Sequence, residues 1–185
     1  RSTLFPYTTL FRSLDKCGNE AKICARTRKH AVDEIVAEMQ SRAQRHDVAE
    51  YIGEQVYSAL VQEARLSPKP GLVDTVNNGS HKDMNLHTFE QSAVSLRPFF
   101  TQFVLKGMTT AHLPEKQILA EVRPLGLLAE KAMFKATHGV NTHKGAIFSF
   151  GLVCTAIGRL LIQQDLAQSA VDRKSTRLNS SHLDK

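Results

Sequence analysis

The sequence is short of cysteine, of strand-like alternation and of genuine excess charge, and each shortage removes a class of protein. Cys17, Cys24 and Cys154 are odd in number and form no even disulfide framework. Cys17-x6-Cys24 is looser than the usual zinc-ligand spacings, so a metal site there is a weak expectation. No apolar run of spanning length stands out once the ends are set aside, and no signal peptide is visible. No alternating run is long enough to demand a strand, which leaves an all-α fold class. A soluble cytoplasmic enzyme with reduced thiols is the default expectation.

The net charge of +6 over 185 residues comes mostly from the ends. Thr3 to Ser13 back-translates codon by codon into a stock sequencing-adapter oligonucleotide, and Asp172 to His182 into its partner. Written CTC TTC CGA TCT, the codons of Leu10 to Ser13 have a reverse complement that, read one base in, encodes Asp172-Arg173-Lys174. Residues 1–13 and 172–185 are therefore read as adapter-derived. Each contributes a net +2, leaving +2 for residues 14–171 and no argument for a nucleic-acid or membrane partner. Both ends are expected to be cuts through longer proteins.

Along the remaining chain, Val32, Ile35, Val36 and Met39 predict an amphipathic helix to about Arg45. Arg45-His46-Asp47 is the expected boundary, with Asp47 and Glu50 at capping-box spacing to open a second helix over 48–65. Its stripe is Val48, Ile52, Val56, Leu60 and Ala64. A third helix is predicted from a Thr88 cap through Phe89, Ala93, Leu96, Phe100 and Phe103, with Pro98 as a bend. Pro114 suits the first turn of a fourth, marked by Ile118, Val122, Leu125, Leu128 and Met133, with Pro124 inside it. Gly139 reads as a helix stop and Asn141 or Thr142 as the cap of a last helix, about 143–165. Gly145, Gly151, Ala156 and Gly158 on that helix predict close packing.

Two polar breaks interrupt these helices. Residues 67–84 hold Pro68, Pro70, Gly71 and Gly79 among Lys69, Asp74, Asn78, His81, Lys82 and Asp83, a stiff polar loop of the kind that carries function. Residues 137–145 repeat its chemistry in Asn141, His143 and Lys144. Lysines hold phosphates, Asp74 and Asp83 could hold a hydrated Mg²⁺ or act as a base, and His81 or His143 could shuttle a proton. The plainer alternatives are capping or packing for each histidine and solvated charge for each lysine.

The wording of the breaks points further. Leu66-Ser67-Pro68-Lys69-Pro70-Gly71-Leu72-Val73-Asp74, then Asn78-Gly79-x-His81-x-Asp83-Met84, then Gly139-Val140-Asn141-Thr142-His143-Lys144-Gly145 closely resemble the triphosphoribosyl-dephospho-CoA synthase family, in order and spacing, from about Val48 to Ala170. The resemblance implies a multi-helix domain, here truncated, with polar interhelical loops forming the site. It implies transfer from ATP to 3′-dephospho-CoA, giving 2′-(5″-triphosphoribosyl)-3′-dephospho-CoA and adenine, for the citrate lyase prosthetic group. Carried onto this chain, Lys69, Lys82 and Lys144 take the phosphates. Asp74 and Asp83 take the metal, Mg²⁺, or the acid–base work, and Asn78, Asn141 and His143 the sugar or base contacts. His81 remains a further catalytic candidate. Upstream, Cys17 to His30 and Val32-Asp33-Glu34 resemble the C-terminal tail of the citrate lyase holo-acyl-carrier-protein synthase family. That implies a fused protein with a tail over 14–46, a synthase part over 47–171 and the citrate lyase acyl carrier protein as partner. Because the family continues past Ala170, this piece alone is expected to be inactive. The competing expectations are a non-catalytic nucleotide- or CoA-binding helical module and a metal-dependent nucleotide hydrolase built on His81 and Asp83.

Overall fold

A computed structural model describes residues 13–14, 19–20 and 30–180, with side chains described over 30–165. Among the described residues four helices make up the fold: α1 (Val32–Arg65), α2 (Leu86–Thr109), α3 (Glu115–Ala136) and α4 (Lys144–Ser180). The all-α expectation holds, with one addition, a two-residue antiparallel ladder between β1 (Ser13–Leu14) and β2 (Asn19–Glu20). Cys17 and Cys24 lie outside the described residues, as do the adapter-like residues 1–12. The chain divides into two compact units at Val48/Ala49, within α1. In the first unit Arg42 and Arg45 both reach Glu38, at 2.8 and 3.4 Å.

The division between the units lies within two residues of the expected Arg45-His46-Asp47 boundary, but the expected new helix start there is absent, because α1 runs unbroken through it. No proline or glycine falls there. Asp47 and Glu50, three residues apart, are as compatible with a continuing helix as with a new start. In the second unit the core is built from Val56, Leu60, Ala93, Leu96, Phe100, Phe103, Val104, Val122, Ala129, Met133, Ile147 and Cys154. The predicted stripes supply most of it. Leu128 is 57 % exposed, and Ala129 takes the buried position beside it.

Helix α2 packs against both α3 and α4 and is the centre of this unit. It opens at Asn85, not at Thr88 as the sequence suggested. Asn85 is extended, its Oδ1 accepts from Thr88 N at 3.0 Å, and Thr88 Oγ1 accepts from Asn85 N at 3.3 Å. Thr88 is thus the third residue of a reciprocal capping box rather than the cap itself. Pro98 and Pro124 both lie within continuous helices.

The α2–α4 contact depends on missing side chains. A Cβ on Gly158 would lie 2.0 Å from Val104 O, and one on Gly107 would lie 2.1 Å from Thr155 O. Backbone therefore meets backbone, as the small residues of α4 predicted, although Gly145 faces open space. Arg159 reinforces the contact by donating to the carbonyls of Thr110 and of Leu113, the latter at 3.0 Å.

One expectation is corrected here. Lys144–Asp165 has a mean hydropathy of 1.9 and is long and apolar enough to cross a membrane by length and composition. In the structure one face of this segment is pressed onto α2, while Phe148, Val153 and Leu160 remain exposed. A helix that is apolar on most faces can be either a core element or a span, and composition alone does not separate the two.

Candidate active site

The first polar break folds around one carboxylate. Asp74 is 5 % exposed, and its Oδ1 accepts from Val76 N at 2.8 Å and Asn77 N at 2.9 Å. Its Oδ2 accepts from Ser67 Oγ at 2.9 Å and Lys69 N at 3.1 Å. An ionised carboxylate has about four lone-pair positions, so Asp74 is saturated. The backbone N–H groups of Asn77, Val76 and Lys69, with the Ser67 hydroxyl, hold its carboxyl well below the usual range. Gly71 and Gly79 have φ of 79° and 57°, and a Cβ on Gly79 would lie 2.4 Å from the Gly71 carbonyl carbon. The loop thus closes on itself, with Ser80 N donating to Gly71 O at 3.1 Å. Only glycine combines that backbone conformation with that approach.

This geometry changes what Asp74 can do. With four donors on its two oxygens it braces the loop, and taking the metal or base role expected from sequence would require it to release some of them. Asp83 is the opposite case. Its side chain is 64 % exposed, and His81 Nδ1 lies 3.9 Å from its Oδ1.

The lysines separate as well. Lys69 Nζ donates to Glu63 O at 2.7 Å and pairs with Glu63 Oε1 at 3.1 Å, which occupies a terminal carbonyl of α1. Lys144 Nζ turns to Glu130 of α3, at 2.6 Å. Lys82 is exposed and has no partner among the described residues, and the Asn78 side chain is likewise exposed.

The second break delivers His143 into the interior. Thr137, the C-cap of α3, donates its hydroxyl to Met133 O and Val140 O at 2.9 and 2.6 Å. His138 and Gly139 then turn the chain through φ of 54° and 93°. Asn141 Oδ1 accepts from Lys144 N at 3.3 Å, so Asn141 helps cap α4 as expected. His143 is 5 % exposed; its Nδ1 lies 2.8 Å from Ser92 Oγ and its ring stands edge-on to Phe89, 5.1 Å between centroids. Burial pushes its pKa down to about 4, against the opposing pull of the Glu63 carboxylate.

The structure therefore brings together one end of each break. His143 and Thr142 meet Phe89 and Ser92 of α2, within the field of Glu63, which in turn holds Lys69. Lys82 and Asp83 face solvent on the loop, with His81 half-buried beside them. Sequence reasoning missed Ser92, Glu63 and Phe89 as neighbours of the site. Ser92 carried a signal, since a serine three residues after Phe89 and beside Ala93 falls on the apolar stripe, where a polar group needs a partner. Separately, Phe103, Leu119, Leu127, Phe148 and Leu152 line an apolar groove of about 320 Å³, with Lys144 at its rim.

Comparison with known proteins agrees with the motif segments. The model of the CitG family, ATP:dephospho-CoA triphosphoribosyl transferase, matches residues 49–182. Protein CitXG of Haemophilus influenzae is 81 % identical over 156 residues, covering 84 % of this chain and 34 % of that protein. The 2-(5″-triphosphoribosyl)-3′-dephosphocoenzyme-A synthase of Haemophilus ducreyi is 64 % identical over 143 residues, 77 % of this chain and 44 % of the relative. A probable synthase of the same name from Vibrio cholerae is 50 % identical over 113 residues, covering 61 % and 36 %. The chain thus spans less than half the length of each of these curated relatives, and no solved structure matches it. With both polar breaks inside the matched span, the chain belongs to the CitG family of ATP:dephospho-CoA triphosphoribosyl transferases.

Proposed function

We propose that this chain carries part of the active site of a cytoplasmic transferase that joins the triphosphoribosyl group of ATP to the ribose 2′-oxygen of 3′-dephospho-CoA and releases adenine. The observation that carries the reading is that the family match spans both polar breaks while His143 of the second sits within the field of Glu63, the partner of Lys69 in the first. In the reaction the ribosyl C1′–N9 bond of ATP breaks and a C1′–O2′ bond forms. The hydroxyl loses a proton, and adenine departs with one. Positive charge grows on the ribose as the base leaves, so an ionised carboxylate and donors to the base lower the barrier.

The geometry suits the exposed Asp83 carboxylate to the entering hydroxyl or to the sugar, with His81 beside it. Lys82 is the ammonium free to meet phosphate, and Lys69 and Lys144 join it by exchanging Glu63 and Glu130 for phosphate oxygens. Asn78 and Asn141 supply amide contacts to the sugar or base. Mg²⁺, where used, arrives on the ATP phosphates with Asp83 as the available protein carboxylate, since Asp74 is filled. The triphosphate crosses to the product intact, so no nucleophile is aimed at the γ-phosphate.

The same proposal extends to the ends. The 156 residues shared with the protein named CitXG are longer than the 49–182 family span, which supports a fused carrier-protein-synthase tail upstream and the citrate lyase acyl carrier protein as eventual partner. The adapter reading is kept for residues 1–13 and 172–185, although the family match runs to 182 and overlaps the second stretch, and resequencing the locus decides between the two. Alone, this chain is expected to show no transfer, because it spans 34–44 % of the two Haemophilus relatives.

The test is mass spectrometry of ATP and 3′-dephospho-CoA incubated with a chain of the relatives' full length. Adenine and a triphosphoribosyl adduct are expected; ADP would instead favour a hydrolase, and binding without turnover a module. Lys69→Ala, Asp83→Ala and Lys144→Ala should each lose adenine release by roughly 10²-fold or more. Lys106→Ala, whose ammonium pairs with Glu121 at 2.7 Å outside both breaks, should stay near the parent. Equal activity across all four variants would overturn the site assignment.

A further inference from the structure

Helix α4 carries two apolar stripes, and only one of them is used. Ile147, Gly151, Cys154, Thr155 and Gly158 are buried; Gly151 meets the Phe103 ring, and Thr155 and Gly158 meet the α2 backbone. The second stripe, Phe148, Leu152, Ala156 and Leu160, lies in solvent, with Phe148 64 % exposed. No charged residue stands between Lys144 and Arg159. A surface helix ordinarily sets one apolar stripe against a polar face, so a second stripe free of charge implies a second packing partner.

The exposed stripe opens onto the groove between α3 and α4. Leu119 and Leu127 of α3 line it opposite Phe148 and Leu152, and both are more than half exposed. Phe103, buried in the core of this unit, lines it as well. Gly126 leaves a notch there, with nothing within 4 Å of where a Cβ would stand. Charge along the groove is confined to Arg123 and to the Glu130–Lys144 pair, whose members neutralise each other at 2.6 Å. Whatever fills the groove therefore extends the existing core and meets an almost uncharged surface. Contiguous exposed apolar surface with a polar rim marks an interaction site in a folded protein.

We infer that this face of α3 and α4 is an internal packing surface of the synthase, covered in a longer chain by an apolar helix from the part of the relatives' sequence that this chain does not span. The matched residues make up 44 % of the Haemophilus ducreyi relative and 36 % of the Vibrio cholerae one, so more than half of each remains to be placed. That remainder needs apolar surface to pack on, and in an all-α unit the groove between two helices is where a further helix seats its side chains. Lipid is the poorer fit. Backbone contact with α2, and Arg159 on the carbonyls of Thr110 and Leu113, hold the other side of α4, so it cannot turn its whole circumference to a bilayer. A second copy of this chain would account for the groove but not for the relatives' extra length. The inference rests on family membership and length rather than on the reaction, and it stands or falls apart from the transferase reading.

Carbene footprinting read by mass spectrometry compares the two lengths directly. In a chain of the relatives' full length, without ligand, labelling at Leu127 and Phe148 is expected to fall about tenfold below that in this chain, because packed side chains exclude the probe. Phe148→Glu gives a second measure. Its Tm should change little in this chain, where the side chain already meets water, and should drop by roughly 5 °C or more in the longer one, where a carboxylate would be buried. A longer variant that fails to fold while this chain's variant is unaffected supports the inference equally. Equal labelling at both lengths, or an equal Tm loss in both, would overturn it. So would protection that follows protein concentration, which assigns the groove to a second copy, or protection brought by phosphatidylglycerol vesicles, which assigns it to lipid. Protection of the longer chain that appears only with ATP or 3′-dephospho-CoA would make it a ligand groove and overturn the inference as well.

Discussion

Asp74→Ala is expected to reduce adenine release by about 10²-fold in a chain of the relatives' full length, the loss associated with displacing a substrate-positioning segment by about an ångström. One carboxylate receives four donors, and three of these are backbone N–H groups of residues 69, 76 and 77. Alanine leaves all of them without their acceptor, so the loop from Ser67 to Asp83 loses the group that sets its course. Asp74→Asn keeps one accepting oxygen and should fall between alanine and the parent. If Asp74 were instead the base or a metal ligand, asparagine would be as inactive as alanine. Limited proteolysis of this chain gives an independent reading. Cleavage within 66–85 should quicken in Asp74→Ala while the helical circular dichroism is unchanged, and equal resistance would sink the clamp.

The same residue fixes the sign of an acid response. Its carboxyl is held below the ordinary value of 3.8 by the N–H groups of Asn77, Val76 and Lys69, so the folded loop prefers the ionised form. Its contribution to stability is complete above about pH 4 and is lost as the pH falls below that value. His143 works in the same direction over a higher window. Its folded pKa of about 4 lies beneath the ordinary 6.5, so its share is complete above 6.5 and declines on acidification toward 4. Acid should therefore loosen the buried His143 end first and the Asp74 loop later.

Much of this arrangement was legible in the sequence, and what was hidden has a common cause. Periodicity placed the helices, and the glycine, proline and asparagine positions placed both breaks, because these signals depend on a few neighbouring residues. The uninterrupted α1 was not legible: Asp47 and Glu50 satisfy a capping rule and a helix-surface pattern equally, and local chemistry does not choose between them. The partner choices of the site were hidden for a longer-range reason. Lys69 faces Glu63, Lys144 faces Glu130 and His143 faces Ser92 because of how helices cross, and no spacing along the chain encodes those crossings. The motifs drew attention to these residues, and only the structure gives their partners: Asp74 accepts from four donors, Lys69 pairs with Glu63 and His143 is buried against Ser92.

Gly158→Ala and Gly126→Ala, the same exchange on two helices, are expected to change stability in opposite directions. Glycine inside a helix is disfavoured by about 1 kcal/mol relative to alanine, so propensity alone would stabilise both variants. At Gly126 nothing lies within 4 Å of the added Cβ, and that gain should be realised. At Gly158 the Cβ would fall 2.0 Å from Val104 O and 3.0 Å from Met108 N, atoms of the α2 backbone that cannot rotate away. Helix α4 must then move off α2, loosening contacts at Phe103, Val104 and Thr155. Overpacking of this kind costs about 1–3 kcal/mol, occasionally more, and a backbone obstacle places it at the upper end, well beyond the propensity gain. Urea unfolding of this chain followed by circular dichroism should move the midpoint down for Gly158→Ala and slightly up for Gly126→Ala. A Gly158→Ala midpoint equal to the parent's would mean that α2 and α4 do not approach backbone to backbone, and the placement of His143 against Ser92, which depends on the same two helices, would fall with it.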